Sequence, residues 1–597
     1  MTNKFKMIKV FRKWEALPFL ILSLICSIIG SSLAGCTKED NIIYREKAFT
    51  IKEIKPLQAM QADTVTLIGI GFDDAVKVLF GKTEAKILSK SETEIKVIVP
   101  ALENNSDSLA ADVPVRIYSP SQYRERNYRM QFLAGTYILD GVKYQVDTIA
   151  HYQVGPGTYY TSIDFRHSEF PQRAYFLTMD AEASNLSFKP VLANDVLGNV
   201  ESVVSMGKRK TAQGKGVYFA GVNADFFNMG GDNRILDGMV LDGKVAALPT
   251  EGGVGNMVVM TNGKLLIDEL SYVPGQVKLD GTVEYLDDIN NMRGTNQLVM
   301  YNDLYGLSTK TSDGGTEVVI KPTSGYWTVN SSVEFVVVDV SVNRGNTAIP
   351  KGMAVLSAQG TKQDALQKLK VGDRGAFLMN IKGSDYSITN PLHILGVKPI
   401  ILKNGLPTSY TWDERHPRTS LGLSADRKKM IMCVIDGRQD ESKGVTVSQL
   451  ALIMKRAGAA TAFNLDGGGS STMYVTNAGY NGTGLMNKPV GGTYTRKVAN
   501  GFFAIADVPE DNQIASIVSR TYVLRMKRGE TASLSFYGLN RYGLVVDNDL
   551  QDVQITPDKM LGTVAGNNFT ASGSLHSGFL TANYQGRTVR VKVLIHQ

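Results

Sequence analysis

The chain has 597 residues, too many for one hydrophobic core, so several domains are expected. Its 20% charged and 43% hydrophobic residues exclude a disordered chain and a polytopic membrane protein. The formal charge of +7 is concentrated near the start: residues 1–35 hold Lys4, Lys6, Lys9, Arg12 and Lys13 against Glu15, and without them +3 remains, too little to indicate nucleic acid.

After those basic residues comes an uncharged run from Ala16 to Ala34, then Gly35 and Cys36. Basic, apolar and small-residue regions in that order form the signal-peptide pattern. Leu33–Ala34–Gly35–Cys36 resembles a bacterial lipoprotein box. That resemblance implies a leader over 1–35, lipidation of Cys36, a polar tether over 36–47 and a membrane partner reached through the N-terminal lipid. The expected location is the bacterial cell envelope, at the outer membrane, facing either the periplasm or the outside. An uncleaved anchor is the alternative, since the apolar run could nearly span a bilayer. Cys433 then stays unpaired inside the apolar Met430–Ile435 and reads as buried filler.

Residues 48–134 are a run of short strands. Thr64–Phe72 and Glu94–Pro100 alternate apolar and polar residues between turn signals. Gly69–Ile70–Gly71–Phe72, Val78–Leu79–Phe80–Gly81 and Val99–Pro100 resemble the IPT/TIG family, which implies a β-sandwich spacer or interaction module. Residues 512–597 are similar in kind. Thr531–Phe536, Phe569–Ala571 and Thr588–Leu594 read as strands, and the segment resembles a bacterial immunoglobulin-like domain after a linker at Pro509–Asn512.

Between them, residues 137–508 mix strands with three helices, at Val200–Lys210, at Lys362–Leu369 and from Thr446. The third opens with the capping box Thr446–Val447–Ser448–Gln449, turns Val447, Leu450, Ala451 and Met454 to one face, and stops at Gly458. The expected architecture is multidomain, a central mixed α+β domain flanked by two immunoglobulin-like β-sandwich domains. The third helix joins a strand ending at Asp436 to one ending at Asp466. Such a crossover makes the two strands parallel and brings both carboxylates to one edge. The first helix feeds another strand, ending in Asn223–Ala224–Asp225. Capping or turn duty is the plain alternative for each Asp.

The densest stretch is Asn464–Leu465–Asp466–Gly467–Gly468–Gly469–Ser470–Ser471–Thr472–Met473. Three adjacent glycines between strands cost backbone entropy. They permit close approach of a ligand and a nest of N–H donors for an anion. A β-bulge or hairpin tip is the competing explanation.

Asn223–Ala224–Asp225–Phe226–Phe227, His416–Pro417–Arg418–Thr419–Ser420–Leu421–Gly422, Asp436–Gly437–Arg438 and the glycine stretch occur in this order and together resemble the phosphodiester glycosidase family. Tyr301–Asn302 with Thr309, Asn487–Lys488–Pro489, and Arg496 with Asn500 agree further. Two positions depart: Ala224–Asp225 stands where the family commonly has two glycines, and Gly396–Val397 where it often has a glycine pair. The resemblance implies a hydrolase that cleaves the glycosidic bond of a GlcNAc-1-phosphodiester-like substrate, releasing sugar and a phosphomonoester.

Such a leaving group is stable as an anion, so the site needs cationic and N–H donors for phosphate more than a strong acid. Arg418 and Arg438 can offer forked donors, and Gly467, Gly468, Gly469 and Ser470 backbone donors. Asp466 and Asp436 are candidates for nucleophile, base or metal ligand. Asp225 and Asn223 would stand beside the sugar or a metal, and His416 is a candidate acid or phosphate contact. The resemblance adds Thr419, Thr309 and Arg496 to the binding set. Clustered Asp and Asn oxygens would suit Ca²⁺ or Mg²⁺ at Asp225, Asp436 and Asp466. The readings from other classes are a non-catalytic glycan- or cell-wall-polymer-binding surface lipoprotein, and a cell-wall scaffold.

Overall fold

The computed structural model describes residues 49–597 except 61–62, 101, 103–109, 132–133, 251–254, 411, 491, 493 and 597. The leader, Cys36 and the tether lie outside the described residues. Phe49–Gln597 forms one unit.

The first strands, Thr50–Lys55 through Tyr123–Gln131, join in one eight-stranded sheet. Their alternation is that of a half-buried sheet. In Thr64–Ile70, Val65 and Leu67 turn inward, toward a core that also holds Phe72, Phe80, Ile95 and Val97.

Two further sheets face each other. The larger has nine strands in the order Leu406–Pro407, Ile400–Lys403, Thr461–Asn464, Arg418–Leu423, Lys429–Ile435, Gln172–Asp180, Thr158–Arg166, Val142–Gly155, Ala134–Leu139. The smaller has four, Leu186–Leu192, Asn500–Ala506, Val217–Asn223 and Met473–Val475. Leu177, Leu421, Met432, Val434 and Phe463 of the first share one core with Ala220, Val222, Met473, Phe502 and Ala504 of the second. Each outer face is closed by a helix. Val447–Arg456 lays Leu450, Ala451 and Met454 on Ile431 and Cys433. Val203–Ala212 lays Val203 and Met206 against Tyr218 and Phe503.

Between Asn223 and Arg418 the chain builds a second lobe from a six-stranded and an eight-stranded sheet. Val258, Ile320, Phe335, Leu356 and Phe377 form its core. Met257, Val259, Leu395 and Val397, on the other face of the six-stranded sheet, enter the core of the facing pair. The strands of Ser516–His596 enclose Phe569, Leu580 and Val591, while Tyr537, Leu539, Leu544 and Val545 also enter that shared core.

The expectation of a central mixed α+β domain is overturned. Among the described residues the α-helices are Val203–Ala212, Gln363–Gln367 and Val447–Arg456, of ten, five and ten residues. The cap at Thr446 was readable: it accepts from Gln449 N–H and the capping box forms in full, whereas the first helix begins at Val203, not Val200, where Ser202 accepts from Ser205 N–H. The stretches between the helices, rich in Val, Ile and Thr, went into antiparallel sheets instead of alternating with helices.

The crossover argument holds in direction but not in adjacency. Arg418–Leu423 lies between Lys429–Ile435 and Thr461–Asn464 and runs antiparallel to both, with Arg418 opposite Ile435 and Ser420 opposite Asn464. The carboxyl ends of the outer two strands therefore share an edge with the amino end of the middle one.

Candidate active site

At that edge the segment 465–472 leaves the nine-stranded sheet and enters the four-stranded sheet at Met473, bridging the two. Its backbone is tied down along its length. Leu465 N–H donates to Thr419 O (2.8 Å), Asp466 N–H to Ala224 O (2.9 Å) and Gly468 N–H to Pro417 O (2.8 Å). Asn223, fully buried, sits beneath. Its Nδ2 donates to Asp466 O at 2.6 Å, and its Oδ1 accepts from Thr419 Oγ1 at 2.8 Å and Thr472 N–H at 3.1 Å. Asn223 and Thr419 thus hold the loop to both sheets, and neither turns its polar atoms toward open space.

Three of the four backbone donors expected to form a nest for an anion are already engaged. The N–H of Gly468 is engaged as above, Ser470 N–H donates to Gly467 O (3.2 Å), and Gly467 N–H serves the Asp466 carboxylate. The glycines are needed for close approach. A Cβ on Gly467 would stand 2.8 Å from Pro417 O. Gly468 adopts φ +62° and lies against the Arg438 guanidinium, and a Cβ on Gly469 would stand 2.5 Å from Arg496 Nη2. Two consecutive glycines therefore carry two guanidinium groups.

A third guanidinium adjoins them. Arg418 is 1% exposed, donates from Nε to Val445 O (3.2 Å) and from Nη2 to Glu414 O (2.9 Å), and lies over the Trp412 ring. Burial lowers its pKa to about 10, with Arg438 adding to the effect. Arg438 holds φ +60°, a left-handed conformation that costs a non-glycine residue about 1 kcal/mol, and strain of this kind gathers at functional sites. Its Nη2 donates to His416 Nδ1 at 3.1 Å. Arg496 Nη1 reaches Ser470 Oγ at 3.5 Å. Among the described residues none of the three forms an ion pair at salt-bridge distance. Arg438 forms no ion pair with Asp436, two residues before it in the chain, whose carboxylate is instead held by Tyr175, Asn487 and Lys488.

His416 is half-buried and closes this side. A guanidinium can only donate, so Nδ1 accepts, which places the ring proton on Nε2, 2.8 Å from Glu414 Oε2.

Three carboxyl groups differ in role. Asp466 is half-buried at the rim. Burial raises its pKa to about 6 against the Ser470 hydroxyl, the Arg496 charge and Gly467 N–H, which favour its ionised form. Asp436, 3% exposed, accepts from Tyr175 Oη (2.8 Å), Asn487 Nδ2 (2.9 Å) and Lys488 N–H (3.1 Å). Burial raises it also to about 6. Asp225, 1% exposed, accepts from Asp237 N–H at 3.0 Å and pairs with the Asp237 carboxyl. Burial and the Asp237 charge hold it well above the usual carboxylate range.

Asp436 is occupied by three donors and Asp225 by Asp237. No group of three or more His, Cys, Asp or Glu among the described residues is placed to hold a metal ion.

The sequence-derived set is therefore divided. Asp466, Gly467, Gly468, His416, Arg438 and Arg496 line one edge, with Gly469, Ser470 and Arg418 buried directly beneath it. Asn223, Thr419 and Asp436 support it from within, and Asp225 is buried behind it. Thr309 is elsewhere, donating to Glu317 Oε2 at 3.1 Å in the second lobe beside Ser357 and Arg293. Sequence reasoning did not find Trp412, Tyr175 or Asp237. The sequence marks Asn487 by resemblance alone, and for Asp237 no local pattern marks a partner twelve residues from Asp225.

Residues 323–505 match the phosphodiester glycosidase family. A second match, to the IPT/TIG domain, covers residues 50–129. The glycosidase match includes His416, Arg418, Asp436, Arg438, Asp466 and Arg496, and leaves out Asn223, Asp225 and Thr309. No curated protein matches the chain. Among solved structures, a Synechocystis protein is 14% identical over 74% of each chain, with a TM-score of 0.43. An exported protein of Burkholderia pseudomallei is 20% identical over 56% of this chain and 74% of its own, with a TM-score of 0.43. The catalytic domain of zebrafish N-acetylglucosamine-1-phosphodiester alpha-N-acetylglucosaminidase is 11% identical over 61% of this chain and 88% of its own, with a TM-score of 0.31.

Proposed function

We propose that this edge hydrolyses the glycosidic bond of a sugar-1-phosphodiester, releasing the free sugar and a phosphomonoester. The observation that carries the reading is the convergence of Arg438 and Arg496 on the glycines beside Asp466, with the buried Arg418 behind them, none of the three having an ion-pair partner among the described residues. Such a surplus of guanidinium is matched by a bound phosphate diester. The C1–O bond breaks with its electron pair leaving on the phosphate oxygen, where the guanidinium groups stabilise it. Asp466, ionised above about pH 6, faces the anomeric carbon as nucleophile or as base for the water that supplies the new hydroxyl. His416 and Glu414 keep Arg438 in place. The pattern of residues 1–36 supports a lipid-anchored protein of the cell envelope.

The test is the full chain incubated with GlcNAc-1-phosphate diesters, assayed for free sugar and phosphomonoester. Asp466→Asn should lower turnover by at least about 10³-fold and leave folding intact. Diester binding with no product from the unaltered chain would overturn the enzymatic reading in favour of a glycan-binding lipoprotein.

A further inference from the structure

Asp436 is tied to the C-terminal sheets by two separate routes. The first is the segment 476–488. Its start is held by Tyr537 Oη, which accepts from Gly479 N–H at 3.1 Å, and by Asn477 Nδ2, which donates to Val545 O at 3.0 Å. Gly482 is packed so closely on Asn548 that a Cβ there would stand 2.0 Å from Asn548 Nδ2. Its end supplies Asn487 Nδ2 and Lys488 N–H to the Asp436 carboxylate.

The second route is a ladder of tyrosines. The Tyr537 ring lies 5.4 Å from Tyr152 and shares a side-chain hydrogen bond with it. Tyr152 lies 5.2 Å from Tyr160, and Tyr160 stacks on Tyr175 at 6.5 Å. Tyr175 Oη then donates to Asp436 Oδ2. All four rings are at most 6% exposed, and Arg520 of the C-terminal segment caps the far end over Tyr537. A detachable spacer would not sink a tyrosine into its neighbour's core and use the hydroxyl there, because burying that group unmatched is costly.

We propose that residues 512–597 are a working part of the site, with Tyr537 as a positioning residue that fixes all three hydrogen-bond donors on Asp436 through segment 476–488 and the tyrosine ladder. The inference takes Asp436 as a member of the proposed site and so rests on that reading. The groups facing Asp436 are Tyr175, Tyr160, Arg173 and Lys488. Donors favour the carboxylate form, so loosening them raises the pH at which Asp436 takes a proton.

The experiment follows the ¹³C resonance of the Asp436 carboxyl, assigned by its loss in Asp436→Asn, through a pH titration of the full chain. Tyr537→Phe removes one hydroxyl and should move the midpoint up by about half a unit. Tyr152→Phe should move it in the same direction, and Tyr175→Phe, which deletes a direct donor, should move it furthest. Tyr542→Phe, a C-terminal tyrosine outside both routes, should leave it in place. Where diester hydrolysis is detected, kcat/KM should fall in Tyr537→Phe and Tyr152→Phe and stay unchanged in Tyr542→Phe. An unchanged midpoint in Tyr537→Phe and Tyr152→Phe, alongside a shift in Tyr175→Phe, overturns the proposal. Without hydrolysis the enzymatic reading fails, and the resonance still decides the coupling.

Discussion

Gly469 and Gly396 look equivalent in sequence, yet their neighbours give them opposite consequences. A Cβ on Gly469 meets the far end of a flexible arginine, whereas on Gly396 it stands 1.7 Å from the backbone oxygen of Asp237. Gly469→Ala should therefore displace Arg496, raising KM for a diester by about tenfold or more while lowering stability by under about 1 kcal/mol. Gly396→Ala should cost about 3 kcal/mol or fail to fold, which a thermal melt and soluble yield will show. Asp466 gives a further residue-scale test. Its folded pKa of about 6 lies above the unfolded value near 3.8, so it favours folding below about pH 4, and that help is lost as pH rises through 6. Asp466→Asn should consequently be more stable than the parent at pH 8 by about 1 kcal/mol, after allowance for its partial exposure, with the gap closing toward pH 4. Melting curves at both pH values measure it. Asp466, Arg438 and the glycines were legible because their pattern is local. The Asp225–Asp237 pair was not, because only the packing of two strand ends brings its members together.

At the scale of elements, the clearest sequence signals were helix ends. Thr446 caps Val447–Arg456, and Thr446→Ala should remove about 1 kcal/mol from the transition of the nine-stranded sheet that this helix covers. Chemical denaturation followed by near-ultraviolet circular dichroism reads it. The bridging loop depends on a less visible device. Asn223 needs both a donor and an acceptor, so Asn223→Asp places a carboxylate against Asp466 O where an amide donated. That change should destabilise by about 2–3 kcal/mol and reduce diester hydrolysis at least tenfold, whereas a merely conserved shape would predict neither. Strand partners were the illegible part. Gln172–Asp180 pairs with Lys429–Ile435, and a period of two tells which face is buried without saying which strand lies alongside. The predicted mixture of helix and strand failed for the same reason: the helices were placed well, but nothing local revealed how many strands would close around them.

Across the whole molecule, His151 marks where three segments meet. Nδ1 contacts Thr161 Oγ1 at 2.9 Å, the ring stacks on Tyr159 and abuts Tyr522, and Nε2 lies 3.8 Å from Asp63. Burial lowers its pKa from 6.5 to about 4. The unfolded chain takes up this proton near pH 6.5 while the folded chain does not until about 4, so stability is lost as pH falls through that interval. His151→Asn will cost packing at every pH, but the gap to the parent should narrow by about 2 kcal/mol between about pH 7.5 and about pH 5. Denaturation midpoints at the two pH values test this, and a constant gap would contradict it.

The strand pairings also dictate an order of assembly during synthesis. Among the described residues Leu186–Leu192 finds its strand partner in Asn500–Ala506, so an early strand must wait for about 300 later residues to leave the ribosome. The intervening lobe pairs its strands among themselves and can close during that wait. A nascent chain halted before residue 500 would thus hold a finished lobe but lack the strand that joins Leu186–Leu192 to Val217–Asn223, leaving open edges prone to capture by other chains.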